Sequence, residues 1–153
     1  MSDRTSKQVD RIAASCIAVR LRLLNRVVTN LYHDALRPLG LKVSQMNVLV
    51  VAAKLGLARP ARVCDLLHLD ISTLSRNVDR MMAKGWLEAV PEEDARTQPF
   101  RLTVRGWRLL ERATPAWEKA QEQAVELLGE PGVAVLDEAA KRLGLRPTKG
   151  APR

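Results

Sequence analysis

The sequence predicts a mainly α chain with one small β-hairpin, an α+β arrangement within a single domain that carries helical arms. Three observations predict it. Apolar residues recur at three- and four-residue steps through most of the 153 residues. That period breaks once, at 86–103, into two short extended runs around an acidic loop. Pro, Gly and short polar residues stand at the borders of the periodic segments, where helices start and stop.

The elements follow in order. Met1–Gln8 is polar and is expected to be a flexible tail. Ile12, Cys16, Val19, Leu23 and Val27 then form one helical stripe, and Ile17, Leu21, Leu24, Val28, Leu31 and Ala35 an adjacent one. Two stripes imply a helix buried on more than one side. Pro38 and Gly40 end it. At about 1.5 Å per residue such a helix runs to about 40 Å, too long for so small a domain to cover, so a second chain is the expected cover. Ser44 is the expected cap of a short apolar helix that carries Met46, Val48, Leu49, Val50, Ala52 and Ala53 and stops at Gly56. Pro60 opens the next helix. Asp70 or Ser72 caps the one after, over 71–84, with Ile71, Leu74, Val78, Met81 and Met82 on one side and Ser72, Ser75, Arg76, Asp79 and Arg80 on the other.

Trp86–Val90 and Phe100–Thr103 read as strands around the loop 91–99, with Pro99 acceptable only at an edge or a strand start. Thr103 caps a long helix through Trp107, Leu110, Trp117, Ala120 and Leu127, which Pro115 is expected to kink. Gly129–Gly132 breaks the chain, Val133–Leu143 forms a last helix, and residues 145–153 are expected to be a flexible tail. The order is five or six helices with a hairpin between the fourth and fifth, and three short helices before a hairpin is the order of a winged helix-turn-helix.

Composition narrows the function. The net charge of +8 and pI of about 10.2 favour an anionic partner. The charge is uneven. Residues 1–42 hold eight basic side chains against three acidic ones, whereas 59–112 hold ten against eight. A nucleic-acid surface in the middle therefore depends on where its Arg residues point. Cys16 and Cys64 form neither a disulfide framework nor a metal-ligand spacing, and His33 and His68 are isolated, so no metal or cofactor is expected. No signal-peptide or membrane-spanning run is visible, and a cytoplasmic protein is expected. The sequence contains no phosphate-binding Gly loop, no paired His and no nucleophile elbow, which argues against an enzyme.

A helix that enters a major groove needs an apolar back, small hydroxyls in front, and Arg to reach guanine or phosphate. The 71–84 segment has both faces. Asp94 and Arg96, two residues apart in an extended loop, point the same way. An Asp that braces an Arg at a hairpin tip suits a narrow, electronegative minor groove. An ordinary polar surface helix and a solvated charged turn are the plainer readings of these two segments.

These features resemble the MarR family of bacterial regulators. The carrying residues are Asp94, Arg96, Phe100, Leu102 and Thr103 with Arg105 and Gly106, the preceding "STLSRNVDRMMAKGWLE" from Ser72, and "LRPLGLKVSQMNVLVVAAKLG" from Leu36. The resemblance covers about Ile12 to Leu143. It implies a winged helix-turn-helix lobe at 41–103, and N- and C-terminal dimerisation helices at 9–40 and 104–144. It also implies a homodimer on a pseudo-palindromic duplex, repression of genes, and no catalysis. Ser72, Thr73, Ser75 and Arg76 match the groove-facing helix, Arg80 is placed to reach a phosphate, and Asp94 and Arg96 match the wing pair. Thr97 stands where the family often has a second basic residue, and Pro99 is unusual in the returning strand. Arg59 replaces a hydroxyl residue and is a candidate for a backbone phosphate.

Two means of control follow from the resemblance. An aromatic acid-like effector binds many members between the dimer helices and the DNA lobe, where Arg20 is a candidate partner for its carboxylate. One branch senses hydroperoxides through a Cys near position 16, and Arg20 lies one turn from Cys16. A buried Cys as a small hydrophobe is the simpler reading. A helical dimer that binds protein, with no specific DNA recognition, is a third reading; it leaves the Asp94–Arg96 hairpin without a purpose.

Overall fold

The computed structural model describes residues 3–93 and 97–145. The described residues form six α-helices and one hairpin: α1 Asp3–Ser15, α2 Ile17–Leu36, α3 Val43–Leu55, α4 Pro60–Leu67, α5 Ile71–Ala83, β1 Leu87–Ala89, β2 Phe100–Leu102 and α6 Val104–Arg142. A 3-10 turn, Arg37–Leu39, links α2 to α3. Among the described residues, no helix is long and apolar enough to cross a membrane.

The first helix departs from expectation twice. Asp3–Gln8, expected to be part of a flexible tail, is helical. The helix expected to run unbroken from Ile12 is two helices, because Cys16 leaves the helical region at φ −66° and ψ 108°. The hairpin consequently follows the fifth helix. Ser44 is not the cap of α3. The helix starts two residues earlier, at Val43, Lys42 is the flanking residue, and the Gln45 side chain accepts from its backbone N–H at 3.1 Å. Gln at the third helical position satisfies that amide as well as a cap would.

The long C-terminal helix also differs in detail. The backbone keeps helical dihedrals through Pro115, and the break comes at Gly129, with φ 67° and ψ 158°. Only a residue without Cβ adopts that conformation at little cost. Pro131 sits in the first turn of the segment that follows, where its missing N–H is harmless.

A single aliphatic core holds the middle of the chain together. Leu36, Val48, Leu49, Ala52, Val63, Leu74, Met81 and Phe100 are fully or almost fully buried, and Trp86, Leu109 and Ala113 join the same cluster. It draws on the end of α2, on α3, α4 and α5, on the hairpin, and on the start of α6. The arms are different. α2 packs along α6, and Tyr32 of α2 donates a hydrogen bond to Gln121 of α6. Beyond that seam, Ile12 is 62% exposed, Ile17 70% and Leu24 48%, with Leu21, Leu23 and Val27 about half exposed. So long a run of bare apolar side chains exceeds the scattered exposure usual on a monomer.

Candidate nucleic-acid interface

The face of α5 away from the core carries Ser72, Thr73, Ser75, Arg76, Asp79 and Arg80, all exposed, while Leu74, Val78 and Met81 are buried behind them. The helix starts where the sequence placed it. Asp70 is the cap, and its carboxylate accepts from the Thr73 backbone N–H at 2.8 Å. It takes two further donors. The Ser72 hydroxyl donates to Oδ1 at 2.6 Å and the Thr73 hydroxyl to Oδ2 at 2.7 Å. These hydroxyl bonds and then the backbone bond hold the Asp70 carboxyl far below the usual carboxylate range. Arg76 Nε donates to the Ser72 carbonyl at 3.2 Å, one turn back.

The far end of α5 is closed by glycine. Gly85 has φ 69°, its N–H donates to the Met82 carbonyl at 2.8 Å, and the Trp86 N–H donates to the Met81 carbonyl at 2.9 Å. That pair of bonds is a Schellman closure. Lys84 folds over the Trp86 ring, 4.3 Å from its centroid, and donates to the Gly40 carbonyl at 3.0 Å. The end of α5 is thereby fixed to the turn between α2 and α3.

Beside α5 stands the hairpin. Leu87 pairs with Leu102, Glu88 with Arg101 and Ala89 with Phe100, antiparallel. Arg101 Nε donates to Glu88 across this register at 2.7 Å. Ala58, before α4, adds a third short edge through two backbone bonds with Phe100, at 2.8 and 3.0 Å. Pro99 is buried at the entry to β2, and its carbonyl accepts from the Val90 N–H at 2.8 Å. A proline there forfeits no ladder bond.

The base of the wing is tied twice more. The Gln98 side chain pairs with both backbone groups of Glu92, accepting from its N–H at 2.7 Å and donating to its carbonyl at 3.2 Å. The Glu92 carboxylate takes a two-pronged bond from Arg59, at 2.7 and 2.8 Å. Arg59 is thereby engaged by the base of the wing. The guanidinium pushes the Glu92 carboxyl down, and Glu92 pushes Arg59 up. Asp94 and Arg96, the expected wing pair, lie outside the described residues.

One close approach fixes the wing to α6. The Thr103 N–H donates to the Trp86 carbonyl at 3.1 Å, its hydroxyl to the Gly85 carbonyl at 2.6 Å, and the same oxygen accepts from the Gly106 N–H at 3.0 Å. At Gly106 an added Cβ would lie 2.1 Å from the Trp86 carbonyl oxygen, so glycine is required.

The control candidates sit elsewhere. Cys16 occupies the α1–α2 break, partly buried, and Arg20 donates to the Ala14 carbonyl at the end of α1. Cys64 packs partly buried against the core, and burial, then Asp65 and Asp70, push its thiol up. Among the described residues no cluster of His, Cys, Asp or Glu is arranged to hold a metal.

No protein-family model matches the chain. The Multiple antibiotic resistance protein MarR of Salmonella typhimurium is 28% identical over 124 residues, which span 79% of this chain and 85% of that protein. The crystal structure of the Mycobacterium tuberculosis transcriptional regulator MOSR in complex with DNA superposes with a TM-score of 0.69 at 27% identity, over 84% of this chain and 98% of that one. The chain is similar in sequence and in fold to MarR-type transcriptional regulators. The fold agrees with that of a mutant MarR from Escherichia coli complexed with operator DNA, at a TM-score of 0.76 and 22% identity over 86% of this chain and 96% of that one. The hairpin here matches the wing of that winged-helix fold.

Several features of this site are not legible in the sequence. The Arg59–Glu92 clasp, the Gln98 bracket and the triple load on Asp70 all depend on contacts that spacing does not reveal. A hint of the last was present, since Ser72 and Thr73 follow a capping Asp at two and three residues, the reach of an Asx turn.

Proposed function

We propose that this chain is a homodimeric, sequence-specific DNA-binding regulator that recognises a pseudo-palindromic operator. In this reading, 41–103 is the DNA-binding lobe, and 9–40 with 104–144 is the dimerisation region. Ser72, Thr73, Ser75 and Arg76 meet base edges and nearby phosphates, Arg80 reaches a phosphate, and Asp94 with Arg96 serves the minor groove. The observation that carries the reading is the exposed hydroxyl-and-Arg face of α5, backed by the core and bonded at both ends, with the wing on the same core. The bare apolar face of α1 and α2 supports the homodimer. The DNA complexes solved for two MarR-type relatives support the partner.

The protein then acts as a repressor in the cytoplasm and releases DNA when an aromatic acid-like effector binds, with Arg20 a candidate contact. It performs no catalysis, as its relatives are transcriptional regulators. The Arg76→Ala and Arg96→Ala variants test the reading. Both are expected to stay dimeric by size exclusion and to lose operator affinity in gel shifts. Unchanged affinity in both would remove α5 and the wing from recognition.

A further inference from the structure

We infer that the first turn of α5 reads amino groups on base edges, and neither phosphates nor keto oxygens; this rests on α5 being the recognition helix. The argument is a count of protons. The Asp70 carboxylate is ionised at neutral pH and only accepts. The bonds of 2.6 Å to Ser72 Oγ and 2.7 Å to Thr73 Oγ1 therefore use the hydroxyl protons. A hydroxyl has one proton, so both groups offer an incoming duplex lone pairs alone.

Phosphate oxygens, guanine O6 and N7, and thymine O4 also offer lone pairs alone. Adenine N6 and cytosine N4 offer protons. The match is with the amino class. On the strand that faces Ser72 and Thr73, the contacted position takes A or C and refuses G or T. Re-aiming a hydroxyl at a phosphate would strip a bond from Asp70 and bring a second negative charge towards it. Phosphate attraction at this end falls to Arg76, which keeps donors on both terminal nitrogens after its Nε bond to the Ser72 carbonyl.

The test is selection of bound duplexes from a random library with the wild-type protein, with Asp70→Asn, and with Ser72→Ala/Thr73→Val. Asn still caps the helix through its carbonyl oxygen, but its amide nitrogen no longer accepts from the second hydroxyl. Wild type is expected to show, in each half-site, a position where A and C interchange and G and T are depleted. The Ser72/Thr73 variant is expected to lose that preference and Asp70→Asn, which frees the Thr73 proton alone, to weaken it, and both keep the rest of the half-site. Replacing adenine there by purine, which deletes the amino group alone, is expected to weaken wild-type binding by roughly five- to a hundredfold. This last measurement decides the matter even if a variant fails to fold. A G-or-T preference that the Ser72/Thr73 variant abolishes, or no effect of deleting the amino group, would overturn the inference. Enrichment of no sequence at all is a different result, and it would overturn the DNA reading itself.

Discussion

Arg59 and Glu92, 33 residues apart in sequence, meet in a two-pronged ion pair that joins the residue before α4 to the base of the wing. Arg59 is largely exposed and Glu92 about one-third exposed, so the pair contributes little to global stability. Its consequence is geometric, because it holds the wing at one angle to the recognition lobe. Arg59→Glu and Glu92→Arg are each expected to weaken operator binding while the melting temperature barely changes. The double exchange is expected to restore most of the affinity. Loss of binding in the double variant equal to the sum of the singles would show that Arg59 acts on DNA directly.

The acid side of the same pair has a defined pH behaviour. The folded carboxyl of Glu92 is depressed below its ordinary 4.5 by Arg59. Asp70 is depressed much further, by Ser72 and Thr73. A depressed folded value means that the associated stability is present above the ordinary carboxylate range and is lost only as pH falls through the folded value. Stability from these two groups is therefore flat between pH 5 and 8. Thermal melts of Asp70→Asn and Glu92→Gln should track wild type in parallel across that range. Convergence would begin only in stronger acid, first for Glu92→Gln.

Among the described glycines Gly106 leaves the least room for a Cβ, and Gly106→Ala forces a methyl group against the Trp86 carbonyl. Overpacking in a tight site costs about 1–3 kcal/mol, and here the obstacle is backbone that cannot rotate away, so the upper end applies. Urea denaturation is the check. A variant as stable as wild type would show that the wing and α6 are not locked together as described.

The exposed apolar face of α2 predicts the association state. Leu24→Glu places a charge where a partner chain is expected, at a cost on the order of 3 kcal/mol, roughly a hundredfold in dimer Kd. Light scattering should find the wild type dimeric and this variant shifted towards monomer at micromolar concentration. A dimer of unchanged affinity would place the interface elsewhere.

Much of the lobe was legible in the sequence because local rules agree there with the tertiary outcome. Asp70, Pro60 and Thr103 begin helices in the roles their side chains dictate. The buried side of α5 followed from the spacing of Leu74, Val78 and Met81. The first helix was harder. Its apolar stripes continue through Cys16 without a Pro or Gly, so periodicity gives no sign that the backbone turns there. Ser44 misled for the opposite reason: a good capping residue stood one turn position inside a helix that Gln45 had already secured. The Arg59–Glu92 pair was not legible, because Glu92 lies on a distant loop and spacing carries no information about such pairs.

The central claim is sequence-specific binding by a dimer, and selection of bound duplexes from a random library at physiological salt tests it most directly. The expected result is an enriched pseudo-palindrome with half-sites about one helical turn apart, bound with a steep salt dependence that leaves the sequence preference intact. Generic, salt-sensitive binding with no enriched sequence would contradict it.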